Sequence, residues 1–459
     1  MNDIGVLGLG VMGKSLARNF ANKGVKVSVY NVPLKGEENV TNDFVQQYDE
    51  GGFYGANSLT DFVNSLSSPR QILLMIKSGQ PVDEMMNQLI PILDKGDCII
   101  DAGNSFFKDS QRRHEYAHHQ GIHFVGMGVS GGEEGALKGP SIMPAGTQHS
   151  KESLLPLLEK IAAKKNGEPC VRWIGKGGAG HFVKMVHNGI EYADMQMITE
   201  IYAIYKWGLG YDNKQIANKF ESFNKSIHNS YLVEITIDIL RKKIDDSYVL
   251  DEILDVAGHK GTGMWTSREA LELGVAVPSI TAAMNQRIIS SYKSIRKDFH
   301  QPIKSTSIDA NISIEKALLA GRLNALAEGF HLMYIASKHY DWDLNMQDIA
   351  AVWRGGCIIR SEMLPLIMEA FEEDISHLYY SSTFKNILDE AMNHLNLLIG
   401  TCTTTGIPLP SLNAASEYYK SMTCNNLSIN LIQAQRDYFG AHTYRTIDNP
   451  ELPKHTQWK

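Results

Sequence analysis

Between His181 and Tyr192 the chain reads HFVKMVHNGIEY, and helical spacing puts Lys184, His187, Asn188 and Glu191 at i, i+3, i+4 and i+7. One helix face would carry a base, two polar orienters and an acid, flanked by the apolar Phe182, Val183, Met185, Val186 and Ile190. Each of the four alone reads as a surface or interface side chain. A solvated face shows scattered mixed charges, so their joint spacing points instead to proton transfer at a site. The run GKGGAG from Gly175 to Gly180 marks a break ahead of this helix.

Other residue groups suit anions. Gly8, Gly10 and Gly13 spell GLGVMG between an apolar strand and a helix, the context in which this pattern turns tightly, admits a pyrophosphate and packs helix on strand. After the second strand come Asn31, Val32 and Pro33, with neither the acid that binds an NAD ribose nor the arginine that binds a 2′-phosphate, and Lys35 is the nearest cation. DAGNS, Asp101 to Ser105, places Asn104 at a strand's carboxyl end. VSGGEEGALKGPSIMPAG, Val129 to Gly146, offers Ser130, Gly131 and Gly132 to a carboxylate, or reads as a flexible loop. HKGTGMW sets Lys260 and Thr262 among glycines, suited to a phosphate or to an ordinary turn. Arg287 and Arg436 are further anion contacts or structural ion pairs. His114, Glu115 and His118 form HExxH, but the surrounding FFKDSQRRHEYAHHQG is the polar face of a crossover helix and no third ligand follows, so no metal site is expected.

These groups need a scaffold of several domains, since 459 residues exceed one ordinary core. Strands are expected at Ile4 to Leu7, Val25 to Tyr30, Ile72 to Ile76, Cys98 to Ile100 and His123 to Val125, with a helix from Lys14 to Lys23, the rhythm of a doubly wound parallel sheet. Beyond Gly180 the periods are helical throughout. There Ile216, Ala217 and Phe220 echo Ile349, Ala350 and Trp353, a hint of duplication. From Tyr444 the chain reads as an extended tail that needs another surface. With 43% hydrophobic and 21% charged residues and a net charge of -7, the chain is a globular protein with no electrostatic reason to bind nucleic acid. No apolar run spans a bilayer and the amino terminus, MNDIGVLGLG, shows neither a basic stretch nor a removable apolar segment, so a cytoplasmic location is expected, and five scattered cysteines read as reduced thiols.

GLGVMG, DAGNS, VSGGEEGA, GAGHFVKMVHNGIEY, HKGTGMWT, WRGGCIIRS and QRDYFGAHTY resemble, in order and approximate spacing over essentially the whole chain, the decarboxylating 6-phosphogluconate dehydrogenases. The first three are shared with the wider β-hydroxyacid dehydrogenases; KMVHNGIEY, KGTGMWT and RDYFGAH are more specific. The resemblance implies a Rossmann-like α/β domain over residues 1–177, an all-helical, internally duplicated domain over 178–435, and a tail over 436–459 that reaches the partner subunit of a homodimer. It implies oxidation of 6-phosphogluconate at its 3-hydroxyl and loss of carbon dioxide to give ribulose 5-phosphate, in the pentose phosphate pathway and without a metal. Lys184 would be the general base and Glu191 the acid that protonates C1, with His187 and Asn188 orienting hydroxyls. Ser130, Gly131, Gly132 and Asn104 would position the carboxylate end. Tyr192, Lys260, Thr262 and Arg287 would bind the phosphate, with Arg436 and His442 of the partner subunit. Gly8, Leu9, Gly10, Val11, Met12, Gly13, Asn31, Val32, Pro33, Ile76, Lys77, Ser78 and Asn104 would hold the dinucleotide.

NADP follows from the resemblance, but Val32 and Pro33 stand where NADP-using members carry an arginine and a hydroxyl residue, which opens the site to NAD. Two other readings share parts of the pattern. Another β-hydroxyacid dehydrogenase would share the nucleotide loop and the lysine but be indifferent to Lys260 and Arg287, while a non-catalytic nucleotide-binding protein would have no use for intact Lys184 and Glu191.

Overall fold

The computed structural model describes residues 1–33, 35–258 and 261–459, with the Thr262 side chain also outside the described set. Lys260, one of the expected phosphate ligands, lies outside the described residues, and of Thr262 only the backbone is described.

The first half alternates β1 (Ile4–Leu7), α1 (Val11–Asn22), β2 (Val27–Tyr30), α2 (Val40–Gln47), β3 (Tyr54–Gly55), α3 (Leu59–Asn64), β4 (Gln71–Leu74), α4 (Gln80–Leu89), β5 (Cys98–Asp101), α5 (Phe107–His119), β6 (His123–Ser130), α6 (Gly132–Lys138), β7 (Ser141–Ala145) and α7 (Gln148–Ile161). The sheet order is β3-β2-β1-β4-β5-β6-β7. Alternation sorts its side chains to two faces: Val6, Leu73, Ile100 and Val125 join one core, and Leu7, Leu74, Ile99 and Phe124 the other.

The sequence expectation of parallel strands needs amending at the sheet's edge. β7 runs antiparallel to β6, and β6 continues through Gly126 and Gly128 to Ser130 rather than ending at Val125. Those glycines mute the strand signal, since glycine is depleted in strands. The stretch from Val129 to Gly146 is therefore strand, helix and strand, and not a flexible loop.

A short hairpin, β8 (Lys164–Lys165) and β9 (Glu168–Pro169), leads to the helical part: α8 (Ala179–Ala203), α9 (Asn213–Phe223), α10 (Tyr231–Arg241), α11 (Val249–Glu252), α12 (Thr262–Glu272), α13 (Pro278–Ser290), α14 (Lys293–Asp298), α15 (Ile314–His339), α16 (Met346–Val352), α17 (Leu364–Ala370), α18 (Ser382–Cys402), α19 (Pro410–Thr423) and α20 (Ile429–Gly440). A small hairpin, β10 (Lys243–Ile244) and β11 (Ser247–Tyr248), interrupts it. The long helices α8 and α15 are each followed by a short helix capped by a polar side chain, Asp212 for α9 and Asn345 for α16.

Their correspondence extends to buried charge. Arg322 of α15 grips Asp194 of α8 through two bonds of 2.8 and 2.9 Å. These partners are 128 positions apart, and Glu200 and Glu328 share that spacing. Glu200 accepts from the N–H groups of Ser411 and Leu412 at the start of α19, and Glu328 from those of Ser279 and Ile280 at the start of α13. Each long helix thus caps another helix that opens with Pro-Ser.

Burial outweighs those donors and pushes both carboxyl groups up to about 7. A glutamate raised in the folded state contributes stability that is fully present below its unfolded value of 4.5 and lost as pH rises through about 7, at most roughly 3 kcal/mol per group. The thermal unfolding midpoint should therefore fall between pH ~4.5 and ~7, and fall less in Glu328→Gln. Equal falls in both proteins would contradict this linkage.

The tail departs from a simple extended segment. The expected boundary at 435/436 falls inside α20, and β12 (Tyr444–Thr446) and β13 (Asn449–Lys454) form a hairpin beyond it. Asp437 of α20 accepts from the N–H groups of Thr443 and Thr456, from Trp458 Nε1 and from His455 Nδ1. Burial pushes this carboxyl up, but the donors outweigh it and hold it down at about 2.

Candidate active site

α8 is the element that joins the two halves, and its close approach to the sheet depends on absent side chains. A Cβ at Gly180 would lie 2.4 Å from the Gly126 carbonyl oxygen, and one at Gly128 would lie 2.5 Å from Lys184 Cβ. Gly126 and Gly128, which alternate onto one face of β6, therefore set the depth at which Lys184 sits. Gly189, farther along α8, admits Thr266 of α12 in the same way.

Above this contact opens a cavity of about 990 Å³. It brings together Lys184, Asn188, Glu191 and Tyr192 of α8, Arg287 of α13, Ser130, Gly131 and Gly132 at the β6–α6 junction, Asn104 after β5, Ile76, Lys77 and Ser78 after β4, and Met12 of α1. His187 is fully buried just behind the wall. Its Nδ1 lies 3.2 Å from Asn188 Oδ1 and 3.3 Å from Lys184 Nζ, and its Nε2 lies 3.3 Å from Ser130 Oγ. The Asn188 oxygen can only accept, which places the proton on Nδ1 and leaves Nε2 to receive the Ser130 hydroxyl. A neutral Lys184 amine can face the same Nδ1–H with its lone pair. Trp353 meets the His187 ring in a T-shaped arrangement, with the ring centres 5.6 Å apart.

The electrostatics favour proton exchange. Burial pushes the Lys184 amine down from 10.5, against the opposing pull of Glu191. Burial, not a neighbouring cation, does this. Burial also pushes Glu191 up from 4.5, while Lys184 and Arg287 oppose it. His187 is driven well below 6.5 by burial and by Lys184, so it is neutral. An amine that gives up its proton more readily and a carboxyl that holds its proton more tightly, on one stripe of one helix, is the arrangement acid–base catalysis needs.

Two loops at the sheet's carboxyl edge are tied to this helix. Arg113, almost wholly buried on α5, bonds Asp83 and the Gly79 carbonyl as well as Asp101 and Ser105. Asp101 in turn accepts from Gly103 N–H and the Ser105 hydroxyl. His181 donates from Nε2 to the Gly103 carbonyl at 3.1 Å and receives Ser110 Oγ at Nδ1. Asn104 stands exposed on the loop so braced. Sequence reasoning passed over Arg113 because its helix is polar throughout. The HExxH residues beside it have other partners: His114 Nδ1 meets the Phe124 carbonyl and Glu115 accepts from Gln111. Among the described residues no group of three or more His, Cys, Asp or Glu could hold a metal ion.

The GLGVMG turn fits a dinucleotide. Gly8 has φ +98°, and a Cβ there would lie 2.5 Å from the Met75 carbonyl oxygen; a Cβ at Gly13 would lie 1.9 Å from the Gly8 oxygen. Nothing lies within 4 Å of a Cβ built at Gly10, which caps α1 with no side chain, so the helix N-terminus beside Val11 and Met12 has room for a pyrophosphate. Leu9 N–H is held by Asn31 Oδ1 at 2.9 Å. Asn31, Val32 and Pro33 follow β2 along this loop, outside the cavity wall.

At the other end, the Arg287 guanidinium stacks 3.5 Å from the centre of the Tyr192 ring and bonds the Gly258 carbonyl. Met195 and Trp265 line the same end; Trp265 lies within the HKGTGMW stretch, whereas Met195 belongs to no motif and only the fold brings it there. Arg436 and His442 do not line the cavity of this chain; Arg436 is exposed and bonds Gln433.

Residues 3–175 match the family described as "NAD binding domain of 6-phosphogluconate dehydrogenase", and residues 180–458 match "6-phosphogluconate dehydrogenase, C-terminal domain". The chain is 46% identical to the NADP(+)-dependent, decarboxylating 6-phosphogluconate dehydrogenase of Bacillus subtilis, over 99% of this chain and 98% of the relative. It is also 46% identical to the decarboxylating 6-phosphogluconate dehydrogenase of Escherichia coli, over the same shares. The structure of Plasmodium falciparum 6-phosphogluconate dehydrogenase, described in apo form and with NADP+ or 6-phosphogluconate, superposes with a TM-score of 0.94 at 39% identity, covering 99% of this chain and 100% of that one.

Proposed function

The chain belongs to the decarboxylating 6-phosphogluconate dehydrogenase family, and from that premise we propose how its residues divide the work. The reaction is oxidation of 6-phosphogluconate and its decarboxylation to ribulose 5-phosphate, a step of the pentose phosphate pathway. The observation that carries the assignment of roles is the α8 stripe, where a lysine pushed down and a glutamate pushed up face one cavity.

Lys184, as a neutral amine, takes the proton of the 3-hydroxyl. A nicotinamide dinucleotide, held by the GLGVMG turn with Ile76, Lys77 and Ser78, supplies the hydride acceptor. The Lys184 ammonium then donates a hydrogen bond and its proton to the 3-keto oxygen while the C1–C2 bond breaks and its electron pair forms the enediol. Glu191 gives a proton to the enediol carbon that was C2 of the substrate and becomes C1 of ribulose 5-phosphate, and the proton of the hydroxyl on the neighbouring carbon returns to Lys184 as the 2-keto sugar forms. Neutral His187 and Asn188 orient the hydroxyls, Ser130, Gly131 and Gly132 with Asn104 hold the carboxylate end, and Arg287 and Tyr192 hold the phosphate. Lys260 and Thr262 are assigned to the phosphate by family pattern.

The site is completed by a second copy of the chain. α20 exposes Ile429, Leu431, Ile432, Tyr438 and Phe439, an apolar face that a lone chain leaves in water. Arg436 and His442 of the partner subunit reach the phosphate in this homodimer. Among the described residues no helix is long and apolar enough to cross a membrane.

Arg287→Met tests the substrate assignment. Losing charge-assisted bonds of roughly 1.5–3 kcal/mol should raise KM for 6-phosphogluconate by about 10- to 100-fold and leave KM for the dinucleotide unchanged. An unchanged KM for 6-phosphogluconate would mean that the phosphate is bound elsewhere, or that the substrate is a different β-hydroxy acid.

A further inference from the structure

We propose that Glu37 is the acid that selects NAD over NADP in this chain, an inference that rests on the dehydrogenase reading above. Asn31 directly follows β2, where dinucleotide-binding folds commonly place the acid that binds the adenosine ribose. Its side chain is already committed: Oδ1 receives Leu9 N–H, and Nδ2 points to Glu37 Oε2 at 3.3 Å. The carboxylate missing from the end of β2 is thus supplied from six residues on. Glu37 is itself anchored by its backbone, whose carbonyl accepts Val40 N–H at the start of α2.

The same loop is poor in what a 2′-phosphate needs. Asn31 N–H is taken by Thr41 Oγ1 at 2.9 Å. Pro33 has no N–H and Val32 has no polar side chain, so residues 31–33 offer neither a cation nor a full set of backbone donors. Of the charged groups nearby, Lys35 is exposed, whereas Glu37 faces Asn31 and Glu38 is folded back onto Gly36 N–H. Two carboxylates against one lysine repel a phosphate dianion. A ribose hydroxyl, by contrast, is a donor that the Glu37 carboxylate can accept.

The test is calorimetric titration of the full chain with NAD and with NADP at one salt concentration, in the wild type, Glu37→Gln and Val32→Arg. The wild type should bind NAD more tightly. Glu37→Gln should shift the ratio of the two dissociation constants toward NADP by about 10-fold, and Val32→Arg by about 10- to 100-fold. Tighter NADP binding by the wild type, or a ratio unmoved by Glu37→Gln, would overturn the proposal. Turnover of 6-phosphogluconate is followed in parallel. If it is absent with both dinucleotides, the dehydrogenase reading fails, while the binding ratio still judges Glu37.

Discussion

Lys184→Met should reduce kcat by at least 10³-fold while 6-phosphogluconate still binds within a fewfold of the wild-type affinity. The expectation combines two losses at one atom. Lys184 is the amine in the cavity wall that burial pushes down from 10.5, so it is the acceptor for the 3-hydroxyl proton, and general base catalysis alone is worth about 10²–10⁴. The ammonium that would polarise the 3-keto oxygen during decarboxylation is lost too, an electrostatic contribution of similar size. Methionine is close in length to lysine and suits the apolar surroundings of a side chain 7% exposed, so the fold should tolerate it. Steady-state rates with equilibrium binding of 6-phosphogluconate check this. Near-normal rates would remove Lys184 from the mechanism, and lost binding would make it a substrate anchor.

Glu191→Gln should lower kcat by about 10²- to 10⁴-fold, and at a different step. Glu191 acts after carbon dioxide has left, so single-turnover formation of reduced dinucleotide and release of carbon dioxide should persist while ribulose 5-phosphate formation becomes limiting. The amide keeps the side chain's shape and can still bond, but it has no proton to give at neutral pH. Rapid mixing that resolves reduction from product release separates the steps. An equal fall in single-turnover reduction and in steady-state turnover would move Glu191 to the hydroxyl-deprotonation step.

What could be read from the sequence was local. The stripe from Lys184 to Glu191 survives into the structure because i, i+3, i+4, i+7 spacing needs only that the segment be a helix. GLGVMG reads equally well, since its glycines answer to backbone constraints within a few residues. What depends on distant partners was hidden. Glu37 is an unremarkable loop acid until the chain folds back on Asn31. Arg113 sits in a strongly polar helix and yet turns inward, because Asp83 and Asp101 await it from two other segments. The strand β7 is indistinct within its glycine-rich stretch, since an antiparallel partner after a short helix leaves no periodic trace of its own. The duplication was hinted at through Ile216 and Ile349, but its firmer marks are Glu200 and Glu328, which become comparable only when each is seen capping a Pro-Ser helix start. The tail from Tyr444, rich in proline and polar residues, reads as an extended segment in need of another surface, whereas its hairpin is held by Asp437, a single buried acceptor that no pattern announces.

The central claim is that Lys184 is neutral when substrate arrives. Competitive labelling of the wild-type chain with an amine-specific acetylating reagent across a pH series, read by mass spectrometry at Lys184 with the exposed Lys35 as internal reference, measures that directly. Half-maximal labelling of Lys184 well below its ordinary 10.5 is the predicted result. Labelling that tracks an unperturbed amine, with a midpoint at or above 10.5, would contradict the general-base assignment.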